Sequence, residues 1–250
     1  MYSFVNKTID NVHLGLTHKC ILECPECART HQRGPTNELL DWEKYQELLD
    51  MCNEFLLCGN WGDPIYYREL FSLCKYIKKQ PGKKIRMHTN GSGKIYKWWH
   101  ELGNILDHND MVIFSIDGTL ENSKKYRVKS NRISIVEAIH ALSTINRPRL
   151  LWKHIVFSYN INTITTTIDQ ARELNFDSIE FQHGYTDNCP ENSVSWSIDQ
   201  LLQVIYNHYR YLEDITNMKI EDMLTVCVEQ HPKCLTIDLK SIQNVLSYNE

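Results

Sequence analysis

The chain has 250 residues and a mass of 29.5 kDa, which suits one large domain or two small ones. Hydrophobic residues make up 42%, charged residues 23%, and the formal net charge is -4, which excludes a long disordered tail and does not favour a nucleic-acid binder. No apolar run approaches the roughly 20 residues of a membrane span and no secretory signal is visible, so we expect a cytoplasmic protein without a membrane partner.

Short apolar runs alternate with segments of helical periodicity along the chain. The runs predict six strands, over residues 12–17, 55–58, 84–89, 111–116, 152–158 and 178–182. The helical segments between them cover residues 42–52, 67–79, 94–106, 133–145 and 163–174. Asp41 is predicted to cap the first helix, and Asn175 to end the last one in a left-handed conformation. Strands that alternate with helices predict a parallel sheet, and therefore an α/β fold.

The number of strand–helix units limits the architecture. Six units are fewer than a closed eight-fold barrel needs, so we expect a partial barrel that is open on one side. This core is predicted to occupy residues 1–185. A helix over 198–214 and strands near 224–228 and 235–239 then predict a short C-terminal cap, residues 186–250, that covers the open edge of the barrel.

Three of the nine cysteines form a C-x-x-x-C-x-x-C motif directly after the first predicted strand: Cys20, Cys24 and Cys27. An odd number of cysteines without a secretory signal indicates a reducing compartment rather than a disulfide framework. Three thiolates on one loop can converge on a metal centre, and on a [4Fe–4S] cluster they leave one iron without a protein ligand. The alternatives are three unrelated buried cysteines, or a structural zinc completed by His18 or His31.

Polar and glycine-rich segments follow each of the other predicted strands. In parallel α/β folds ligands lie at the carboxyl ends of the strands, so their shared placement indicates one site. In chain order the segments are Gly59-Asn60-Trp61-Gly62-Asp63-Pro64, Thr89-Asn90-Gly91, Ser115-Ile116-Asp117-Gly118, Asn160, and Gln182-His183.

With these motifs in this order, residues 11–185 resemble the radical SAM (S-adenosylmethionine) superfamily, whose signature is C-x-x-x-C-x-x-C after a first strand. The resemblance implies a partial (βα)6 TIM-like barrel. It also implies that Cys20, Cys24 and Cys27 hold a [4Fe–4S] cluster, and that the amino and carboxylate groups of SAM chelate the remaining iron.

The resemblance also assigns residues to SAM. The turn around Gly62 and Asp63 matches the family's "GGE" turn, although Asp63 would also serve as a helix cap. Arg127 matches an arginine that pairs with the SAM carboxylate, although a surface ion pair is the plainer interpretation. A departure from the pattern is Glu26, which stands where an aromatic residue usually precedes the third cysteine. The complete set of implied SAM-binding residues is Gly59, Gly62, Asp63, Thr89, Asn90, Ser115, Asp117, Arg127 and Asn160.

The chemistry implied by the resemblance is reductive cleavage of SAM to a 5′-deoxyadenosyl radical, which takes a hydrogen atom from a substrate C–H bond. The substrate is a peptide or protein, or alternatively a small molecule or nucleoside. An electron donor such as a flavodoxin or ferredoxin is also implied, and no side chain is assigned as catalytic. The other class of protein that stays open is a non-catalytic zinc or iron–sulfur module.

The C-terminal segment carries three widely spaced cysteines, Cys189, Cys227 and Cys234. Many relatives in the resembled family hold auxiliary clusters in a cysteine-rich extension, so these three are candidates for a second cluster. The dense cysteine spacing typical of such extensions is absent, and the alternative is a plain structural cap.

Overall fold

The computed structural model describes residues 9–32, 40–58, 61–144, 148–183, 196–216, 218–229 and 234–247. The strands are β1 (Ile9–Leu14), β2 (Cys52–Leu57), β3 (Lys84–Thr89), β4 (Met111–Ser115), β5 (Arg149–Val156), β6 (Ser178–His183), β7 (Val226–Glu229) and β8 (Cys234–Asp238). The helices are α1 (Ala28–Gln32), α2 (Gln46–Asp50), α3 (Leu70–Lys78), α4 (Tyr96–Gly103), α5 (Arg132–Ser143), α6 (Ile164–Glu173), α7 (Ile198–Tyr209), α8 (Tyr211–Thr216), α9 (Ile220–Met223) and α10 (Leu239–Ser247). No helix in the described part of the chain is long and apolar enough to cross a membrane.

The strands follow the order β1-β2-β3-β4-β5-β6-β8-β7 in one sheet. β1 pairs with β2, β2 with β3, and β5 with β6 in parallel, whereas β8 pairs antiparallel with β6 and with β7. The sheet is open rather than closed, which confirms the predicted α/β fold with a partial barrel. The two predicted C-terminal strands extend the sheet from β6 and pair there antiparallel.

The chain divides into two compact units, one comprising residues 1–113 and 129–149, the other residues 114–128 and 150–250. The first unit carries β1, β2 and β3, and the second carries β5 to β8. The boundary between core and cap at residues 185 and 186 stays a prediction.

The sheet of the first unit has one apolar and one polar face, because successive side chains of a strand point to opposite sides. Phe55, Leu57 and Met87 on the apolar face are fully buried. On the other face Arg86 pairs with Glu54 across the β2–β3 register, at 3.4 Å between nitrogen and oxygen. Each buried Leu, Met or Phe contributes about 1.5–3 kcal/mol, so this face stabilises the unit.

The second unit repeats the same alternation on β5 and β6. Trp152 and Phe181 are fully buried, and the Trp152 indole nitrogen donates to the Ile116 carbonyl at 2.8 Å. The polar face carries an ion pair between Lys153 and Glu180 at 3.1 Å. The one polar atom of the buried indole is thus satisfied within the unit.

Local signals predicted one helix end correctly and one wrongly. Asn175 has φ of 59° and ends α6 as expected. Asp41 makes no capping hydrogen bond, and the predicted helix 42–52 is a 3₁₀ turn, Trp42–Tyr45, followed by the short α2. The Asp41 carboxylate pairs instead with Lys44 at 2.7 Å, which competes with the cap.

His154 on β5 is a fully buried imidazole in the apolar face of the second unit. Its ring lies 5.2 Å from the Phe181 ring, and neither ring nitrogen has a partner at hydrogen-bonding geometry. Burial lowers the pKa of His154 from 6.5 to about 4, against smaller opposing effects of the Asp117 charge and the Asn160 side chain. The folded protein therefore holds this histidine neutral.

We expect this histidine to make the fold acid-sensitive. The stability that the fold has with a neutral His154 is fully present above pH 6.5. It is lost as the pH falls from 6.5 towards 4, because the histidine of the unfolded chain takes up a proton first. The loss in the free energy of unfolding is about 3 kcal/mol at the lower end of that range. Urea unfolding of the wild type and of His154→Phe between these pH values measures it, and parallel pH profiles would contradict the assignment.

Candidate cofactor site

The cysteine loop between β1 and α1 is closed by its own hydrogen bonds. The Cys27 amide donates to the Cys24 carbonyl at 3.1 Å, and the Thr30 amide donates to the Cys27 carbonyl at 2.8 Å as α1 begins. The Arg29 guanidinium donates to the Leu22 carbonyl, seven residues back in the loop. These contacts fold Cys24 and Cys27 onto one turn at the start of α1.

The Cys20 thiol lies in a half-buried position with two N–H groups beside it. The Leu22 amide donates to its sulfur at 3.4 Å, and the Asn90 side-chain amide does so at 3.6 Å. Burial first, and then the negative charge of Asp63, raise the pKa of Cys20 to about 11. The thiol therefore keeps its proton at neutral pH, and metal binding there would have to displace it.

The described residues include no set of three His, Cys, Asp or Glu side chains arranged to hold a single metal ion. The two histidines that would complete a zinc site have other contacts: the His31 ring bonds the Pro25 carbonyl, and His18 packs edge-on against Trp61 at 6.0 Å. Thiolates of a [4Fe–4S] cluster each bind a different iron, so they need not meet at one point. Three thiols on one loop, with N–H donors directed at Cys20, fit that group, and the ligand assignment stays a prediction.

The turn after β2 lies directly against the cysteine loop. A Cβ atom on Gly62 would come within 2.2 Å of the Thr17 carbonyl oxygen and 2.9 Å of the Lys19 carbonyl oxygen. The Asp63 amide donates to the same Lys19 carbonyl at 2.9 Å. Gly62 is thus required for backbone packing between the two loops, and Gly59 lies outside the described residues.

Asp63 joins the ends of β2 and β3 through a buried carboxylate that is only 4% exposed. One oxygen accepts the Ile65 amide at 3.2 Å, so the predicted capping role is confirmed. The other accepts the Asn90 amide at 2.7 Å, the Thr89 hydroxyl at 3.2 Å and the Asn90 side-chain amide. We call Asp63, Thr89 and Asn90 the Asp63 junction; the sequence indicated its members as strand-end residues but not their bonds to one another.

A second junction lies at the end of β4 in the second unit. The fully buried Asp117 accepts the Arg127 Nε at 2.6 Å and the Ile155 amide at 2.8 Å. Its own carbonyl accepts the Tyr159 hydroxyl at 2.9 Å, a contact that the sequence did not indicate. Arg127 therefore forms an ion pair, but a largely buried one rather than the surface pair that the sequence left open, and its bond to SAM stays a prediction.

Asn160 is fully buried and holds its own turn after β5. Its side-chain oxygen accepts the Phe157 amide at 2.8 Å, and its side-chain nitrogen donates to the Ile155 carbonyl at 2.9 Å. A Cβ on Gly118, whose φ is +110°, would come within 3.2 Å of the Asn160 Cβ. Asp117-Gly118 and Asn160 are thus brought together, whereas Ser115 is half-buried at the end of β4.

Two of the three C-terminal cysteines lie on the added strands. Cys227 is exposed and opposes Thr236, and the buried Cys234 opposes Glu229. Cys189 lies outside the described residues. The second cluster stays a prediction, since the described residues bring no further ligand to these two thiols.

No family model matches this sequence, and no curated protein matches it. The fold is similar to that of TYW1 with a lysine-pyruvate adduct bound, at 15% identity over 88% of this chain and 76% of that chain, with a TM-score of 0.55. It is also similar to Streptococcus suis SuiB bound to S-adenosylmethionine, at 11% identity over 83% of this chain and 49% of that chain, with a TM-score of 0.65. A third is anSMEcpe with AdoMet and the Cp18Cys peptide, at 16% identity over 83% of this chain and 61% of that chain, with a TM-score of 0.57.

These three neighbours are radical SAM enzymes, and another SuiB structure carries its precursor peptide SuiA. At such low identity the similarity shows that this chain has the radical SAM fold. The chain spans about three quarters of the length of TYW1 but only about half of SuiB, at 76% and 49%.

Gly62→Ala is expected to lower the free energy of unfolding by about 3 kcal/mol, because its new methyl group meets backbone oxygens that cannot rotate away. Chemical denaturation of the apoprotein measures this loss.

Gly82→Ala is the matched control, since its Cβ meets nothing within 4 Å and only its left-handed φ of +83° is strained. That variant should lose only about 1–2 kcal/mol. A loss at Gly62 no larger than that at Gly82 would contradict the tight packing of the two loops.

Proposed function

We propose that this chain is a radical SAM enzyme in which Cys20, Cys24 and Cys27 hold a [4Fe–4S] cluster and that modifies a peptide or protein. The observation that carries the proposal is the position of Cys20 against the Asp63 junction. The motif that would bind the cluster and two motifs that would bind SAM thus form one hydrogen-bonded group in the first unit. The radical SAM fold of the neighbours supports it.

A reduced cluster bound here would supply one electron to the SAM sulfonium and so generate the carbon radical that removes a hydrogen atom from the substrate. The chain's own part is to hold and orient. The Leu22 and Asn90 N–H groups lie where they would stabilise a Cys20 thiolate, since hydrogen bonds to sulfur favour its negative charge. The half-buried loop limits the access of water to it.

Asp63 would act on SAM chiefly through its charge. One of its oxygens already receives three donors, from Thr89 and Asn90, and the other receives the Ile65 amide, so little of the carboxylate's capacity of about four hydrogen bonds remains. A negative charge at this depth attracts a nearby ammonium group, because solvent screens it weakly.

Backbone and side-chain groups of the other residues matched to the family pattern would make the direct contacts with SAM. In the first unit these belong to Gly59, Gly62, Thr89 and Asn90, and in the second to Ser115, Asp117, Arg127 and Asn160. Arg127 would use its terminal nitrogens, since its Nε already binds Asp117.

A peptide substrate is supported by the SuiB structure with SuiA and the anSMEcpe structure with Cp18Cys. A small molecule or nucleoside is the second candidate, which the TYW1 structure with its lysine-pyruvate adduct favours.

The proposal further includes a flavodoxin or ferredoxin as the electron donor and a cytoplasmic location. It retains the division into a core of residues 1–185 and a cap of residues 186–250.

Anaerobic reconstitution should load the wild type with about four iron and four sulfide ions per chain, as one cluster requires. Cys24→Ala should lose this iron while the far-ultraviolet circular dichroism spectrum stays unchanged, because the loop lies outside the sheet.

Cys227→Ser is the control for the iron count and should keep it, because Cys227 lies on β7 rather than on the cysteine loop. A colourless, zinc-loaded wild type that leaves SAM intact under a chemical reductant would favour the metal-binding module instead. Lost iron in Cys227→Ser would indicate the second cluster.

Asp63→Asn should weaken SAM binding about tenfold at unchanged iron content, since it removes a charge worth about 1.5 kcal/mol to a bound ammonium. Isothermal titration calorimetry of the loaded protein measures the affinity. Asp41→Asn, which changes a charge outside the junction, is the control. Equal SAM binding by Asp63→Asn and wild type would leave Asp63 with a structural role alone.

A further inference from the structure

The second unit contains a cavity of about 430 Å³ between the start of α6 and the first turns of α7. Aliphatic side chains form its walls, with an indole and carboxamides completing the lining. The residues that matter here are Ile161, Ile164, Trp196, Leu201, Gln203 and Val204.

The cavity lies at the carboxyl ends of two strands of its unit. Ile161 directly follows Asn160, the turn residue after β5. The Trp196 ring stacks on that of His183, the last residue of β6, with centroids 5.6 Å apart and 27° between the planes. Ligands of parallel α/β folds bind at this edge of the sheet.

Trp196 brings a buried hydrogen-bond donor to this cavity. The residue is only 5% exposed, and its indole nitrogen has no hydrogen-bond partner among the described residues. A buried donor left unpaired costs about 1–3 kcal/mol, so an occupant with an oxygen atom at this position would recover that free energy.

One polar atom of each of the two glutamines in the lining is already bonded within α7 or its cap. The Gln200 side-chain oxygen accepts the Ser197 amide at 2.9 Å, within the box that caps the helix. The Gln203 side-chain nitrogen donates to Asn207 at 3.0 Å. Among the described residues the lining has no charged side chain, and Trp196 supplies its buried unpaired donor, which suits a neutral, mostly apolar occupant with an acceptor.

We propose that this cavity binds an aromatic or branched aliphatic side chain of a peptide, and that a peptide carbonyl oxygen accepts the Trp196 Nε1–H. The assignment rests on the proposed function, in which a peptide is the substrate. At about 430 Å³ the cavity is at the small end of ligand sites and has room for one side chain with its flanking peptide groups. The mostly aliphatic lining does not match the row of donors and acceptors along the edge of a nucleobase.

The experiment observes the indole N–H directly in the full chain, without cluster or SAM. A ¹⁵N heteronuclear spectrum shows the six tryptophan side chains, and the peak missing from Trp196→Phe identifies Trp196. Titration with N-acetyl-phenylalaninamide and N-acetyl-leucinamide should shift this peak downfield to saturation. N-acetyl-glycinamide at the same concentrations should leave it in place, because it lacks the apolar side chain.

Variants test the walls and the donor separately. Val204→Arg at the 48% exposed rim should weaken binding at least tenfold. Trp196→Phe, followed through the other shifted peaks, should weaken it about two- to tenfold, since the ring stays and one hydrogen bond is lost. Met218→Arg, which changes an apolar side chain 51% exposed and outside the cavity lining, should bind as the wild type does.

Three results would each overturn the assignment: an unmoved Trp196 peak, an equal shift with N-acetyl-glycinamide, or a shift with adenosine in place of the amides.

SAM cleavage by the loaded wild type under a chemical reductant separates this inference from the proposed function. A protein that binds the amides but leaves SAM intact refutes the enzyme and keeps the cavity. A protein that cleaves SAM with an unmoved Trp196 peak refutes the cavity alone.

Discussion

The first unit depends on one buried carboxylate. Asp63 ends the turn after β2, yet most of its hydrogen bonds come from Thr89 and Asn90 at the end of β3. Because its own amide is held by the Lys19 carbonyl, the same residue ties the cysteine loop to both strand ends. A buried carboxylate is costly unless its oxygens are paired, so these three segments are held in one arrangement.

Buried aspartates join neighbouring strands throughout the described chain. At the carboxyl ends Asp63 is matched in the second unit by Asp117. At the amino ends, Asp110 accepts the amide of Ile85 at 2.7 Å, and Asp177 accepts the amide of Leu150, also at 2.7 Å. Each of these carboxylates satisfies a backbone N–H at a strand end, where the sheet ladder leaves groups unpaired.

The hydrogen bonds of these buried side chains limit the ways in which the strand-end motifs can act on a ligand. Asp63, Asp117 and Asn160 are strand-end residues of the kind that bind ligands, yet each is already bonded within its own unit. Preorganisation of this kind fixes a binding site before its ligand arrives. For Asp63 the proposed effect on a cofactor is therefore chiefly electrostatic and positional, and direct contacts fall to the groups around it.

The sequence by itself determined the order of strands and helices, the open parallel sheet and the turn at Asn175, because periodicity and turn preference act over a few neighbouring residues. It also predicted that the cysteine loop and the strand-end motifs follow the ends of their strands. Even at short range it failed at Asp41, where Lys44 competes for the carboxylate. Only the tertiary structure decided that Asp63 bonds Asn90 and that Trp196 and Ile161 line one cavity, since strand register and crossover geometry fix which distant residues come together.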